Sequence, residues 1–526
     1  MMTQSISSSG MQSWILPAML LWPLVAAPFV RFLGNDPSAD DHTPASGIDA
    51  RLLTLIALSI EAALGIAAWV SFTSNTQGWQ ISADLPWIPD IGARLTLGVD
   101  GLSLPMLVMT ALLMPLALLG SWNNVKIKTP SFGALLLALT SGLVGVFVSL
   151  DLLLFYMSWE LMLIPTYFIV GIWGGVDRTK TVLKYVIMTM VGSLLMLVAI
   201  AALWTRGGGT SFALDHLLTL QLSSTEQLFM FGAFFLAFAV KSGLVPFHSW
   251  MPDAQQTAPT IGAVTLGVKV GMYAMLRFAI PMFPAAVTNS RVQTTIIALS
   301  VISIIYGAFV AMAQTDFKRL ISYSSISHLG FIMLGCFVLT PQSLEGATWI
   351  TVNHGITTSA LFLLAGMLQD RKGTNLMTSF GGIARVVPWF SLMLTLAMLS
   401  TIGLPGTNGF IGEFLVLIGT YASWPVVATI STTVVILAAI YGLRALQTLL
   451  FGRLNETSNG TLRDLSSREL LVMSVFAVGI IWLGLAPRGV LQRIESGTNH
   501  VQQHARTAAV KLPSSAVVSS NSSTTR

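Results

Sequence analysis

The chain has 526 residues, of which 54% are hydrophobic and 9% charged, against about 25% charged in an average soluble domain, so too few polar groups are present to build a soluble surface. Its single cysteine, Cys336, excludes an intrachain disulfide and a thiolate-bound metal cluster, and without a GxGxxG or Walker loop no nucleotide site is expected. The net charge of +5 is no nucleic-acid signature.

Apolar runs of about 20 residues, the length that crosses ~30 Å of hydrocarbon, recur along the chain. They predict an all-α, polytopic membrane protein with fourteen spans, at 13–33, 51–73, 101–121, 132–150, 152–173, 183–204, 227–247, 260–280, 295–314, 320–340, 347–368, 387–417, 423–450 and 470–491. No basic residue precedes the first run and more spans follow it, so no secretory signal peptide is expected. The loop GNDPSADDHTPASG (34–47) and the segment 75–100 are polar, and the Ser/Thr-rich tail from about 508 is expected to be disordered. Loops after odd-numbered spans hold sixteen Lys/Arg and the other face eight. The positive-inside rule then puts the odd loops in the cytoplasm and both termini outside. Lys318 and Arg319 read as cytoplasmic anchors, and Arg277 either snorkels from a helix end or extends a polar axis.

Two spans are interrupted. In AFAVKSGLVPFHSWMPD (237–253), Pro246 lacks an N–H and blocks the helical bond to the Ser242 carbonyl. In GLPGTNGFIGEF (403–414), Pro405 and four glycines break span 12. Five spans separate the breaks, an odd offset that reverses direction across the bilayer. Spans 4–8 and 9–13 therefore read as two inverted five-helix repeats with broken helices 7 and 12, and paired broken helices point to a transport site. The corresponding divisions are 1–122 (spans 1–3), 123–285 and 286–450 (the repeats), 451–507 (last span and flanks) and 508–526 (tail).

Six titratable residues lie at bilayer depth: Glu160, Lys241, Lys269, His328, His354 and Glu413. A charge there costs about 2.5–3.5 kcal/mol on insertion scales, and such residues usually face a polar interior and find a partner. A static ion pair that only orients helices accounts for any one of them. Two Lys, two Glu and two His spread over both repeats suit a proton relay better. Burial lowers a lysine pKa and a nearby carboxylate raises it, so Glu160 with Lys241 would form a switch. The freed carbonyl at the Pro246 break needs water or a polar group, giving Lys241 a place to deliver a proton. His248, two residues beyond the proline, is a further candidate.

The stretches SWELMLIPTYFIVGIWGG, FAVKSGLVPFHSWMPDAQQTAPT, QTDFKRLISYSSISHLGFIMLG, NHGITTSALFLLAGML and IGLPGTNGFIGEFLVL strongly resemble the subunit M (chain 4) family of proton-translocating NADH-quinone oxidoreductase, respiratory complex I, over about 80–490. The resemblance implies an antiporter-like fold in the membrane arm, with Glu160, Lys241, Lys269, His328 and His354 as relay residues and Glu413 as the exit toward the periplasm. It implies no cofactor or metal in this chain, with NADH, FMN, iron–sulfur clusters and quinone in partner subunits. The implied partners are other membrane-arm subunits, including neighbouring antiporter-like ones, the lipid bilayer and protons, in a bacterial inner membrane. The chain departs from the family pattern in three places: Gln255 replaces a usual histidine, the first proline of the VKxPxxPFH run is absent, and the path to Lys269 is about three residues short. A multisubunit cation/proton antiporter or a membrane-bound hydrogenase shares the fold and much of the motif set, and a purely structural scaffold would place no demand on protonatable side chains.

Overall fold

The computed structural model describes residues 12–36, 48–74 and 78–510; most of the polar 34–47 loop, and the tail from 511, lie outside them. Eleven of the described helices are long and apolar enough to cross a membrane: Ile15–Leu33, Ala50–Ser71, Thr129–Val148, Leu152–Trp173, Arg178–Arg206, Thr260–Met282, Ser290–Met312, Phe317–Val338, Pro341–Lys372, Pro425–Leu450 and Ser467–Leu485. Leu104–Gly120 and Pro388–Thr401 are shorter apolar helices, and Ser224–Ser242 is a further helix of 19 residues. The chain is an integral membrane protein of mostly helical architecture.

Polar residues at the predicted boundaries start the helices. Asp151 accepts from the amides of Leu153 and Leu154, and Ser223/Glu226, Thr340/Ser343 and Ser466/Glu469 form reciprocal capping boxes, each satisfying amides that a first helical turn leaves open. The apolar windows of Thr260–Met282, Phe317–Val338 and Pro341–Lys372 are each 94% buried, whereas those of Pro425–Leu450 and Ser467–Leu485 are 33% buried. The first three are therefore the centre of the bundle, and the last two present apolar side chains outward.

Both predicted breaks are present, and they share one geometry. Ser224–Ser242 stops at Gly243, whose φ of +72° suits only glycine at low cost. Its N–H donates to the Val240 carbonyl, and that of Leu244 to Ala239. Pro388–Thr401 is followed by Gly403 at φ +75°, whose N–H donates to Ser400 while that of Leu404 donates to Leu399. Both are the two-bond Schellman closure. The chain then resumes as Trp250–Thr257 in the first case and Asn408–Tyr421 in the second.

Three features correct the sequence expectations. Span 8 is also interrupted: Thr260–Leu266 ends at Gly267, and the helix restarts at Val270, with Lys269 in a non-helical conformation between them. The break falls where the path to Lys269 is short. The all-α expectation fails at 75–100, where Gln80–Ile88 and Ala93–Val99 form an antiparallel hairpin turned by Gly92 at φ +70°. Asp84 joins Arg94 across its strands at 2.7 Å. The last span is followed by a further helix, Arg488–Val510, that packs on the Pro341–Lys372 helix.

Candidate functional site

The second half of the molecule brings three of the predicted residues into one cluster. Apolar periodicity alone would put methyl groups at these interior positions; instead the Phe317–Val338 helix places His328 there, the Pro341–Lys372 helix His354, and the second half of the broken helix Glu413. His328 Nδ1 lies 2.8 Å from Glu413 Oε1. The His328 and His354 ring centroids are 4.8 Å apart, and the Thr358 hydroxyl lies 2.7 Å from His354 Nδ1. A cavity of about 20 Å³ opens among His328, His354, Thr357, Thr358, Ser400 and Glu413. That is room for about one water molecule. Tyr441, fully buried on the Pro425–Leu450 helix, is within electrostatic reach of Glu413.

Asn408 pins the break beside this cluster. Its side chain donates to Asn353 Oδ1 (3.2 Å) and accepts from Ser400 (2.5 Å) and Thr357 (3.4 Å). Its carbonyl accepts from Trp349 and Asn353, both at 3.2 Å. The Asn408 carbonyl, at the start of the resumed helix, is thus paired inside the bundle, as a polar group at hydrocarbon depth must be.

In the first half, Lys241 ends its helix in an aromatic box. Its Nζ donates to the Tyr185 hydroxyl at 3.1 Å and stands 5.4 Å from the Tyr185 ring centroid and 5.8 Å from that of Trp159. Glu160 follows Trp159, with one carboxylate oxygen buried and unpartnered. Among the described residues no ion pair joins Glu160 to Lys241. Lys269 is buried, its Nζ without a hydrogen-bond partner, and its charge acts on His354. The Val270–Ala274 helix that follows it packs on the Ser224–Ser242 helix that carries Lys241 and on the Phe317–Val338 and Pro341–Lys372 helices that carry the histidines. His248 points elsewhere, 3.2 Å from the Tyr306 hydroxyl and edge-on to Tyr323.

Arg277 neither snorkels nor extends the axis. It is buried against Asp100 in an ion pair, donates to Tyr273 at 3.2 Å and lies over the Trp79 ring, locking the hairpin region to the bundle. Burial alone would raise the Asp100 carboxyl, but the Arg277 charge and hydrogen bond, with the Ser103 and Leu102 amides, hold it below the usual carboxylate range. Lys318 is not an exposed anchor: it is buried and donates to Gln369 at 2.7 Å. Arg319 does face the surface region, bonded to Asp253 and Gln256.

Sequence reasoning missed Tyr185, Asn408, Asn353 and Thr358, whose roles arise from contacts between distant segments. It also missed Glu61, which is fully buried at the middle of Ala50–Ser71 with both carboxylate oxygens unpartnered. Glu61 carried the same signal as the other six, a lone charge in an apolar run. Gln255, where the family pattern has histidine, is fully buried with both amide atoms unpartnered.

The fold and this polar axis define a class: the chain belongs to the NADH:quinone oxidoreductase/Mrp antiporter transmembrane family, whose sequence model matches residues 149–439. Within it the chain is similar to NADH-quinone oxidoreductase subunit M of Escherichia coli K12, 37% identical over 473 residues covering 86% of this chain and 92% of that one. It is likewise similar to subunit M of Rhodobacter capsulatus, at 35% over 506 residues covering 93% and 96%. A chain of respiratory complex I from Thermus thermophilus with bound NADH superposes with a TM-score of 0.82 at 30% identity, covering 92% of this chain and 99% of that one. A chain of the Mrp complex from Dietzia shares the fold at a TM-score of 0.78 and 20% identity, over 95% of this chain and 56% of that one. The resemblance read from the motifs is therefore borne out.

Proposed function

We propose that this chain is a proton-translocating membrane-arm subunit of an NADH:quinone oxidoreductase in a bacterial inner membrane. It moves protons through Glu160, Lys241, Lys269, His328, His354 and Glu413 and carries no redox centre of its own. NADH, FMN, iron–sulfur clusters and quinone belong to partner subunits, and neighbouring antiporter-like subunits flank it. Fourteen spans arranged as two inverted repeats (123–285 and 286–450), preceded by 1–122 and followed by 451–507, with both termini on the periplasmic face, complete the reading. The matched closures at Gly243 and Gly403 support the repeats.

The observation that carries the proposal is the contact series His354–His328–Glu413. Two imidazoles this close disfavour being cationic together. A proton arriving on His354 from the Lys269 side therefore favours loss of one from His328, and Glu413, at 2.8 Å, accepts it. The Schellman break leaves Lys241 at the end of its helix rather than within it, so its Nζ can leave Tyr185 and be recharged from the cytoplasmic side. Glu160, which makes no ion pair with that lysine, would bias it through space rather than by contact. The relatives at 35–37% identity are oxidoreductase subunits, which favours this reading over a free-standing cation/proton antiporter.

Proton pumping coupled to NADH oxidation in membrane vesicles tests it, comparing wild type with Lys241→Ala and checking assembly on a native gel. Loss of pumping in an intact complex is the expected result. Normal pumping and normal NADH oxidation would remove Lys241 from the mechanism.

A further inference from the structure

An apolar crevice of about 230 Å³ lies outside the relay, between the Ala50–Ser71, Leu104–Gly120, Pro341–Lys372 and Ser467–Leu485 helices and the start of Arg488–Val510. Its upper wall is Trp69, Pro105, Trp482 and Val490, close to the ends of the first, second and fourth of these helices. Leu112 and Ile356 line it further in; seven residues separate Leu112 from Pro105, a depth of about 10 Å at the helical rise. The surrounding face is apolar and exposed: Ile66 is 50%, Val70 77% and Leu485 70% accessible.

Arg493 stands at the rim, one turn beyond Val490. Its guanidinium lies 4.3 Å over the Trp69 ring, and one terminal nitrogen donates to the Gly489 carbonyl at 2.7 Å. Its Nε is buried without a partner, and among the described residues no carboxylate pairs with it. Burial pulls its pKa down with no acid to offset it. A half-desolvated cation stacked on tryptophan, over an apolar slot at the end of membrane helices, is complementary to one chemistry: an anionic headgroup with an acyl chain below it.

We propose that this crevice binds an anionic phospholipid, its phosphate on Arg493 and one acyl chain running inward past Trp69 and Trp482 to Ile356. The chain end would then meet Asn353, which lines the crevice and also holds the Asn408 hub at the break beside Glu413. The lipid would thereby brace the exit half of the relay from the side.

The test uses the intact complex in nanodiscs containing phosphatidylglycerol or phosphatidylcholine with a diazirine at the chain end. The expected result is photolabelling of the 105–112 and 352–356 segments by phosphatidylglycerol, about fivefold above phosphatidylcholine, as one surface cation gives. Arg493→Gln should erase that preference, and Ile356→Trp should fill the slot and abolish labelling by both. Equal labelling by the two lipids in the wild type would overturn the proposal, showing unselective bilayer contact. So would the absence of labelling, which would mean that a neighbouring subunit covers the crevice. The wild-type comparison stands even if a variant fails to assemble.

Discussion

Lys241 and Glu413 each lie beside a helix that stops at a left-handed glycine followed by leucine, Gly243–Leu244 in one half and Gly403–Leu404 in the other, with the same pair of closing hydrogen bonds. Around Lys241 the neighbours are aromatic faces and one hydroxyl. Around Glu413 they are an imidazole, a second imidazole behind it, and an amide hub that ties the break to the adjacent helix. The closure decides where the helix stops, and the side chains packed against the gap decide its chemistry. Lys241 is held by ring faces and one oxygen; Glu413 is held by a histidine whose other ring nitrogen is buried without a partner among the described residues.

Substitutions that treat the halves unequally sharpen this contrast. The largest effect on stability is expected from Asn408→Leu, which leaves the buried Asn353 Oδ1 without its donor, while Ser400 and Thr357 keep each other at 3.1 Å. At about 1–3 kcal/mol for one unsatisfied buried group, the loss should be on the order of 2 kcal/mol, read as a lower unfolding temperature of the purified complex. An unchanged transition would mean the hub is not needed to hold the break. Next come Gly243→Ala and Gly403→Ala, each forcing a side chain into a left-handed conformation at about 1–2 kcal/mol. Their stability costs should match, but their effects on pumping should not. A Cβ at Gly403 would come 3.1 Å from Glu413 Oε2, whereas one at Gly243 meets the flexible Met251 side chain. Equal pumping rates in the two variants would erase the proposed difference. The smallest effect is expected from Tyr185→Phe, which removes one hydroxyl from Lys241 while the Tyr185 and Trp159 ring faces stay beside it. It should leave assembly intact and lower the pumping rate, because Lys241 loses its only hydrogen-bond partner among the described residues.

A pH series separates this axis from the scaffold. The Asp100 carboxyl is held below its ordinary value in the fold, so the Arg277 lock stabilises fully above about pH 4, where the unfolded carboxyl is ionised. That contribution is lost as the pH falls through the lower folded value. The stability gap between wild type and Asp100→Asn should therefore be constant from pH 7 to 5 and shrink only in stronger acid.

The residues of the proposed relay were legible because a lone charge stands out in an apolar run, and the two breaks because proline and glycine sit where a span should continue. Arg277 stood out equally, but its partner Asp100 lies 177 residues away, and sequence position says nothing about such a meeting. Asn408 was hidden for a related reason: among four glycines and a proline it reads as one more turn residue, although five hydrogen bonds converge on it. The hairpin at 80–99 was obscured by Pro86 and Pro89, which interrupt its alternation, and the break before Lys269 by the absence of any proline there.

The Pro341–Lys372 helix runs for 32 residues without a break, about 48 Å at the helical rise, and so overshoots the ~30 Å hydrocarbon layer. It carries His354 near its midpoint, Asn353 beside the crevice, and Gln369, the partner of Lys318, near its far end. A stiff rod pivoting at its middle moves its tips most and its centre least. With His354 near that midpoint, a tilt of the helix would displace the proposed proton path less than it displaces the two helix ends.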